Sequence, residues 1–421
     1  MSQVIPASAD PAAFRRPYDG QIRVNRVSIT PAVLPADEMM ATIPAHSVEA
    51  CVAQLLAAIE TGREFCIHSG TAPLATPDGG AFLQCETSGS TGQPKRVRRS
   101  HASWIRSFMV DRALWNITPQ DRIAVFGPLN HSLALYGAVS AVHLGAQVDV
   151  FTAPRPDTRL QMLRAAMPSL LYATPAQLRQ LAACCDAGTG IPGTRHVMIG
   201  GGFLDKATRN ASAQLFPGAV LHAFYGASET SFIAISDATT PPLSVGRAYP
   251  GVEIRIRDEQ ARDLPPDHPG EVWVQSPYLF EGYAQGTSAQ TRWQDGFLTV
   301  GELGWLDPEG HLFLAGRRDR MFTVSDQNVF PELIERVLLD QPGVTHAAVL
   351  PRPDAKRGAV PVCFLSAGPQ GVDTDAVLAA CRRQLTPQAA PRRAFVLTDW
   401  PTLPSGKTDI TALSQLLKAQ T

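Results

Sequence analysis

Hydrophobic positions along this chain recur with two periods. Short, mostly apolar runs at 123–126, 147–151, 170–173, 196–199 and 219–224 read as strands buried on both faces. Between them, apolar residues return every three or four positions, which predicts helices over 133–144, 158–166, 175–184 and 205–215. Strands alternating with helices predict a parallel or mixed sheet flanked by helices. Residues 1–80 are rich in Ala and Pro, with one clear helix over 47–60. Past Tyr225 the texture changes to short strands, at 252–257, 270–274 and 311–315, separated by turns such as Asp307-Pro308-Glu309-Gly310. Near Gly316 it changes again, to a helix over 331–340, a strand over 347–350, a helix over 373–385 and a strand over 394–397. The expected architecture is an α/β fold. A large N-terminal domain (1–315) carries mixed or parallel sheets and a β-rich subdomain, and a small α+β C-terminal domain (316–421) follows.

Composition narrows the class. The 421 residues are 44% hydrophobic and 18% charged, enough for a large core and against disorder. A net charge of −1 leaves no bulk field to recruit nucleic acid or an anionic membrane. The seven cysteines are odd in number and none shows C-x-x-C spacing, which argues against a disulfide framework and a cysteine metal site. Free thiols suit a reducing cytoplasm. The N-terminus has no continuous apolar core of a secretory signal, and no apolar run is long enough to span a bilayer.

Chemistry concentrates at Thr87-Ser88-Gly89-Ser90-Thr91-Gly92-Gln93-Pro94-Lys95. Hydroxyls, glycines and a lysine in one turn make a mould for phosphate oxygens. The stretch lies between a strand-like run at 82–85 and a predicted helix over 100–115, the setting in which α/β proteins bind ligands. It is not a Walker A loop, because Pro94 separates Gly92 from Lys95 and Arg96 stands where Ser or Thr is required. The basic run Lys95-Arg96-Val97-Arg98-Arg99 abuts it and reads as part of a local anion site, against the alternative of a solvated loop.

Five further segments follow in order: Phe224-Tyr225-Gly226-Ala227-Ser228-Glu229-Thr230, Val300-Gly301-Glu302-Leu303-Gly304, Gly316-Arg317-Arg318-Asp319-Arg320, Pro331-Glu332-Leu333-Ile334-Glu335 and Leu403-Pro404-Ser405-Gly406-Lys407. Taken together with the loop, they resemble the core motifs of the adenylate-forming superfamily: acyl- and aryl-CoA synthetases, peptide-synthetase adenylation domains and luciferases. Each motif alone is weak. In isolation Tyr225 is an ordinary core aromatic, Glu302 a solvated turn acid, Arg317 to Arg320 a surface ion cluster and Lys407 an exposed lysine.

The resemblance implies two half-reactions. A carboxylate attacks the α-phosphate of ATP to give an acyl-adenylate and pyrophosphate, and a thiol then displaces AMP. It places Thr87, Ser88, Gly89, Ser90, Thr91, Gly92 and Lys95 on the β,γ-end of ATP. Glu229 becomes a catalytic residue whose carboxylate holds Mg2+. Tyr225, with Gly226 and Ser228, faces the nucleotide, and Glu302 the ribose with Arg317 nearby. Lys407 becomes the catalytic lysine, on a mobile C-terminal domain that rotates about a hinge at Asp319. The carboxylic acid pocket falls to Pro128-Leu129-Asn130-His131, Gly200, Gly201, Gly202 and Ala227. His131 is either a pocket residue or a satisfied structural histidine, and Leu133, Leu135 and Tyr136 are candidates to shape an apolar cavity. Asp205 comes too late in its segment to hold a substrate ammonium, so a non-amino acid, aromatic or fatty, is expected.

The chain departs from the family pattern in three places. The region before the loop is shorter than in typical members. Glu302 replaces an Asp. Thr323 and Asp326 stand where a lysine and a glycine are usual, on the loop that lines the thiol channel. An acid at 326 opposes CoA phosphates, so the expected acceptor is the phosphopantetheine of a separate acyl carrier protein, with free CoA as the alternative. A degenerate member that binds acid or nucleotide without turnover is the competing reading, and a P-loop phosphotransferase fails on spacing.

Overall fold

The computed structural model describes residues 13–14, 22–34, 40–70, 80–87, 95–186, 188–237, 239–368, 370–403 and 407–419. The dominant feature is a long sheet with two halves. In one half, Val220–Ala227, His196–Ile199, Leu170–Ala173, Arg122–Phe126, Gln147–Phe151 and Ile22–Val24 run parallel, side by side. Apart from Ile22–Val24, these strands coincide with the apolar runs, because a strand covered on both faces has no polar side to show. Helices Ser132–Leu144, Pro156–Ala166, Pro175–Ala183 and Lys206–Leu215 connect them. Their starts are encoded locally. Thr174 and Gln177 form a capping box ahead of Pro175, and the Asp205 carboxylate accepts from the Thr208 N–H at 2.8 Å.

The other half is antiparallel. It runs from Val220–Ala227 through Ser231–Ile235, Ser244–Ala248, His311–Arg317 and Glu302–Leu306 to Gly270–Gln275. Val220–Ala227 is therefore the strand at which the sheet changes direction. A second sheet has the order Gly282–Gln285, Lys95–Ser100, Phe82–Thr87, Glu64–His68, Met40–Pro44. Glu64–His68 and Met40–Pro44 lie in the region the sequence left without strands. The large core packs helices Val48–Thr61, His101–Trp115 and Ser132–Leu144 between the two sheets, around Phe65, Trp104, Phe108 and Tyr136.

Residues from Phe322 onward build separate cores. In the sheet of Val344–Asp354, Gly358–Ala367 and Ala394–Leu397, Val349, Cys363 and Leu365 face helices Pro331–Leu339 and Thr374–Gln384. Ala348, Leu350, Val362 and Phe364 face the opposite side, against Leu413 and Leu417 of helix Ile410–Ala419. Alternation with period two thus gives each face its own helices. Among the described residues, no helix is long and apolar enough to cross a membrane, and all seven cysteines are free.

One core group carries a pH signature. Asp111 is fully buried and accepts from the Tyr136 hydroxyl at 2.7 Å and the Tyr249 hydroxyl at 2.5 Å. Burial pushes its carboxyl from 3.8 up to about 7, against the pull of both hydroxyls. The folded protein therefore keeps this proton at pH values where the unfolded chain has released it. The resulting stability is present below the ordinary value of 3.8 and is lost as pH rises through about 7. Relative to Asp111→Asn, which is neutral throughout, the wild-type melting temperature should fall across that interval. A difference independent of pH would refute the assignment.

Candidate functional site

The carboxyl ends of the parallel strands define one edge of the molecule. Gly127 to His131 follow Arg122–Phe126, Gly200 to Gly202 follow His196–Ile199, and Val220–Ala227 leads into Ser228 and Glu229. This edge, at the strand where the sheet changes direction, is where open α/β sheets place ligands. Two glycines on it are dictated by space. A Cβ on Gly200 would lie 2.2 Å from the Phe224 ring, and one on Gly226 only 2.0 Å from the Ser231 carbonyl oxygen. Gly226 sits at a register shift in the antiparallel pair whose turn carries Glu229.

Residues distant in sequence converge here. Glu302 pairs directly across from Arg317 on neighbouring antiparallel strands. Burial pushes the Glu302 carboxyl up to about 7, opposed by Arg317 and Lys407 and reinforced by Glu332 and Asp319. The Tyr225 hydroxyl is raised well above its usual range by burial and by Glu302 and Glu229, while Arg317 opposes. That hydroxyl is buried without a hydrogen-bond partner among the described residues. Lys407 arrives from the C-terminal part. It keeps exposed surface, yet burial of its ammonium pushes the pKa below the ordinary lysine value, helped by Arg317 and opposed by Glu229 and Glu302. His131 is pushed down by burial and by Lys407 against the pull of Glu86. Tyr225, Glu229, Glu302, Arg317, His131 and Lys407 thus share one electrostatic neighbourhood.

The phosphate-loop expectation is partly corrected. Thr87 and Lys95 face each other across an antiparallel pair of strands, so the loop joins two strands instead of leading into a helix. Residues 88–94, with Ser88, Gly89, Ser90, Thr91 and Gly92, lie outside the described residues, as do Pro404 to Gly406 beside Lys407. The basic run is not an anion site. Arg98 pairs with Glu64 at 3.1 Å, Arg96 approaches Glu86 at 4.0 Å, and the fully buried Arg99 donates to Ser231 Oγ at 2.8 Å and to the Ser228 carbonyl at 3.2 Å. Lys95 alone keeps a site position, its ammonium 5.9 Å from the Tyr283 ring centre.

On the acid-pocket side, Leu135 and Tyr136 belong to the core, because Tyr136 spends its hydroxyl on Asp111 and Ser107. Leu133 is only partly buried. Ser132 and Ser228 hydroxyls meet at 2.9 Å, linking the His131 segment to that of Ala227. Asp205 is a helix cap paired with Arg179 at 2.7 Å, and so is committed elsewhere. Asp319 bonds Arg317 Nε at 3.2 Å, and Arg320 bridges Glu332 at 3.2 Å and Glu335 at 2.6 Å. The Arg336 guanidinium lies 4.9 Å from the Phe203 ring, a contact between the C-terminal part and the segment after Gly202. Asp326 has φ +64, following Ser325 at φ +46, in the turn between Phe322–Val324 and Gln327–Val329. Both conformations favour glycine, and Asp tolerates them through its short polar side chain.

Sequence reasoning missed two groups that sit at the heart of this arrangement. The Glu86 carboxylate would be raised by burial, but hydrogen bonds from Ser69 and Asn130 and the charge of Arg96 hold it below the usual range. The Tyr283 hydroxyl donates to Glu229 Oε1 at 2.7 Å. Both act through long-range contacts that leave no local signal beyond the Gly282-Tyr283 pair.

The arrangement matches known proteins. Residues 29–284 fit the model of the AMP-binding enzymes, and residues 333–407 that of the AMP-binding enzyme C-terminal domain. The chain is 34% identical over 330 residues to YhfT, an uncharacterized acyl–CoA ligase of Bacillus subtilis, covering 77% of this chain and 66% of that relative. It is 29% identical over 359 residues to a 3-hydroxybenzoate–CoA ligase of an Aromatoleum species, covering 82% of this chain and 68% of the relative. The chain thus spans roughly two thirds of the length of the curated relatives it matches, just under that share for YhfT. In fold it matches o-succinylbenzoate CoA synthetase (MenE) from Bacillus subtilis, solved with an acyl-adenylate, at TM-score 0.74 and 21% identity over 94% of this chain and 95% of that one. With a family model matched over more than half its length, the chain belongs to the AMP-binding enzymes, the adenylate-forming superfamily its motifs resemble.

Proposed function

We propose that this chain is an ATP-dependent acid–CoA ligase that works through an acyl-adenylate. The observation that carries this reading is the cluster of charges at the carboxyl edge of the sheet, where Glu302 lies directly across from Arg317 and Lys407 is within electrostatic reach of both and of Glu229. An ammonium held there meets the point where charge crowds as a substrate carboxylate oxygen attacks the α-phosphorus. The bond to the β-phosphate oxygen breaks and pyrophosphate leaves. A thiol sulfur then attacks the acyl carbonyl, AMP departs, and the thiol proton passes to solvent.

Within this reading Glu302 accepts from the ribose hydroxyls, Tyr225 lies against the adenine, and Thr87, Lys95 and the intervening loop hold the β,γ-phosphates. Gly200, Gly201, Gly202, Ala227 and His131 line the acid pocket. Among the described residues, no three His, Cys, Asp or Glu side chains gather to hold a metal ion. A single hard carboxylate, Glu229, fits Mg2+, which takes one or two carboxylates and completes its shell with phosphates and water. Bound there, the ion would neutralise charge on the phosphate oxygens. Domains 1–315 and 316–421 pivot at Asp319, which would withdraw Lys407 for the thiol step.

Free CoA replaces the carrier protein expected from the sequence as acceptor. The named relatives are CoA ligases, and the acid at 326 has a conformational reason to be there. Commitment of Asp205 to Arg179 supports a non-amino acid substrate, and the hydroxybenzoate-specific relative favours an aromatic one. A panel of aromatic and fatty acids, assayed for ATP–pyrophosphate exchange and then for thioester with either CoA or phosphopantetheinylated carrier protein, tests this. Exchange with an aromatic acid, AMP as product and a CoA thioester are expected. Absence of exchange with every acid, or ADP as product, would overturn the enzymatic reading. Thioester on the carrier protein alone would overturn the acceptor.

A further inference from the structure

Tyr283 lies on Gly282–Gln285, a strand bonded to Lys95–Ser100 with Tyr283 opposite Val97. Its hydroxyl is 2.7 Å from Glu229 Oε1 and 2.8 Å from Thr291 Oγ1. A phenol has one proton. The carboxylate can only accept it, so Thr291 must donate to the tyrosine oxygen, and the chain runs Thr291 to Tyr283 to Glu229. The tyrosine ring is held edge-on against Phe280, 5.1 Å between centres, and the Phe280 N–H donates to the Glu229 main-chain oxygen at 2.9 Å. Above the same ring sits the Lys95 ammonium. One side chain therefore touches the acid on one side of the site and the lysine that closes the 88–94 loop on the other.

We propose that Tyr283 is a positioning residue: it locks the Glu229 carboxylate in one rotamer, with Oε1 engaged and Oε2 directed to the metal that accompanies ATP. This rests on the reading of Glu229 as the metal-holding acid. A neutral donor on one carboxylate oxygen fixes the orientation of the other without adding charge, as partners behind metal ligands do. The ring separately provides a face for Lys95, so the hydroxyl and ring roles can be dissected by different substitutions.

The test measures Mn2+ binding to the intact protein by electron paramagnetic resonance, with a non-hydrolysable ATP analogue present. Tyr283→Phe keeps the ring and should weaken Mn2+ binding about tenfold, with about a hundredfold as the upper bound for such partners. Thr291→Val should act in the same direction by less. Excess Mg2+ should restore the Tyr283→Phe turnover rate, while its KM for the acid stays as in wild type. Glu229→Gln is the control. If Glu229→Gln abolishes Mn2+ binding while Tyr283→Phe and Thr291→Val bind as wild type, the positioning role is overturned and the reading of Glu229 stands. If Glu229→Gln also binds as wild type, the reading of Glu229 falls and this proposal with it. Should Tyr283→Phe fail to fold, Thr291→Val alone decides between these outcomes.

Discussion

Replacing Lys407 with Ala is expected to lower the rate of acyl-adenylate formation by about 10²–10³, the cost of deleting one donor aimed at developing charge. That factor corresponds to about 3–4 kcal/mol of transition-state stabilisation. The ammonium lies within electrostatic reach of two carboxylates, Glu229 and Glu302, and one guanidinium, Arg317. In the proposed reaction, a cation brought among them by the C-terminal part would meet the reacting phosphate only in this orientation. Its loss should therefore fall on kcat with little change in KM for ATP, the pattern of an interaction made in the transition state. The second half-reaction, started from synthetic acyl-adenylate and CoA, should stay near wild type, because the proposed rotation about Asp319 would remove the lysine before the thiol attacks. Since burial and Arg317 lower the Lys407 pKa, adenylation should also decline on the alkaline side before an ordinary lysine would lose its proton. An exchange rate unchanged in Lys407→Ala would refute the catalytic role of Lys407.

Arg99→Ala is expected to cost about 1–3 kcal/mol of stability, the scale for leaving buried acceptors without their donor. Arg99 is 1% exposed. Its guanidinium donates to the Ser228 carbonyl, Ser231 Oγ and the Tyr278 carbonyl, and lies 5.4 Å from the Trp104 ring centre. Truncation leaves three acceptors without this donor in a site closed to water. The same residue pins the turn that carries Glu229, so nucleotide binding should fall with stability. Arg99→Lys should recover part of the loss, since an ammonium reaches one acceptor but cannot fork to three. Urea unfolding followed by tryptophan fluorescence, alongside nucleotide titration, checks both. A loss below about 1 kcal/mol, the range of ordinary surface substitutions, would refute the role.

Where the chain pattern reflects burial, it was legible to within a residue. The runs at Leu170–Ala173, His196–Ile199 and Gln147–Phe151 are the observed strands, because each is flanked by turn residues and covered on both faces. Helix starts at Thr174 and Asp205 were readable because a cap acts over three residues. The strands Met40–Pro44 and Glu64–His68 were missed. Glu64 and Gln84, polar by type, are buried in that sheet, where Glu64 accepts from both Arg98 and Gln84. Gly358–Ala367 was missed because Gly358 and Pro361 interrupt its pattern, and that strand is held by the long pairing with Val344–Asp354.

By itself the sequence determined the order of motifs, the two-part α/β and α+β organisation and membership in the adenylate-forming family. It also placed Glu229, Glu302, Arg317 and Lys407 among the groups to watch. Only the tertiary structure decided which basic residues remain in the site. Arg96, Arg98 and Arg99 look like neighbours of Lys95 along the chain, but they end in contacts with Glu86, Glu64, Ser228 and Tyr278. It also decided that Tyr283 stands behind Glu229 and that Leu135 and Tyr136 are core. The physical reason is range. Periodicity and caps report backbone conformation and burial over a few residues. The partner that neutralises a charge or directs a carboxylate is chosen by strand pairing between segments as far apart as Arg99 and Tyr278, 179 residues along the chain.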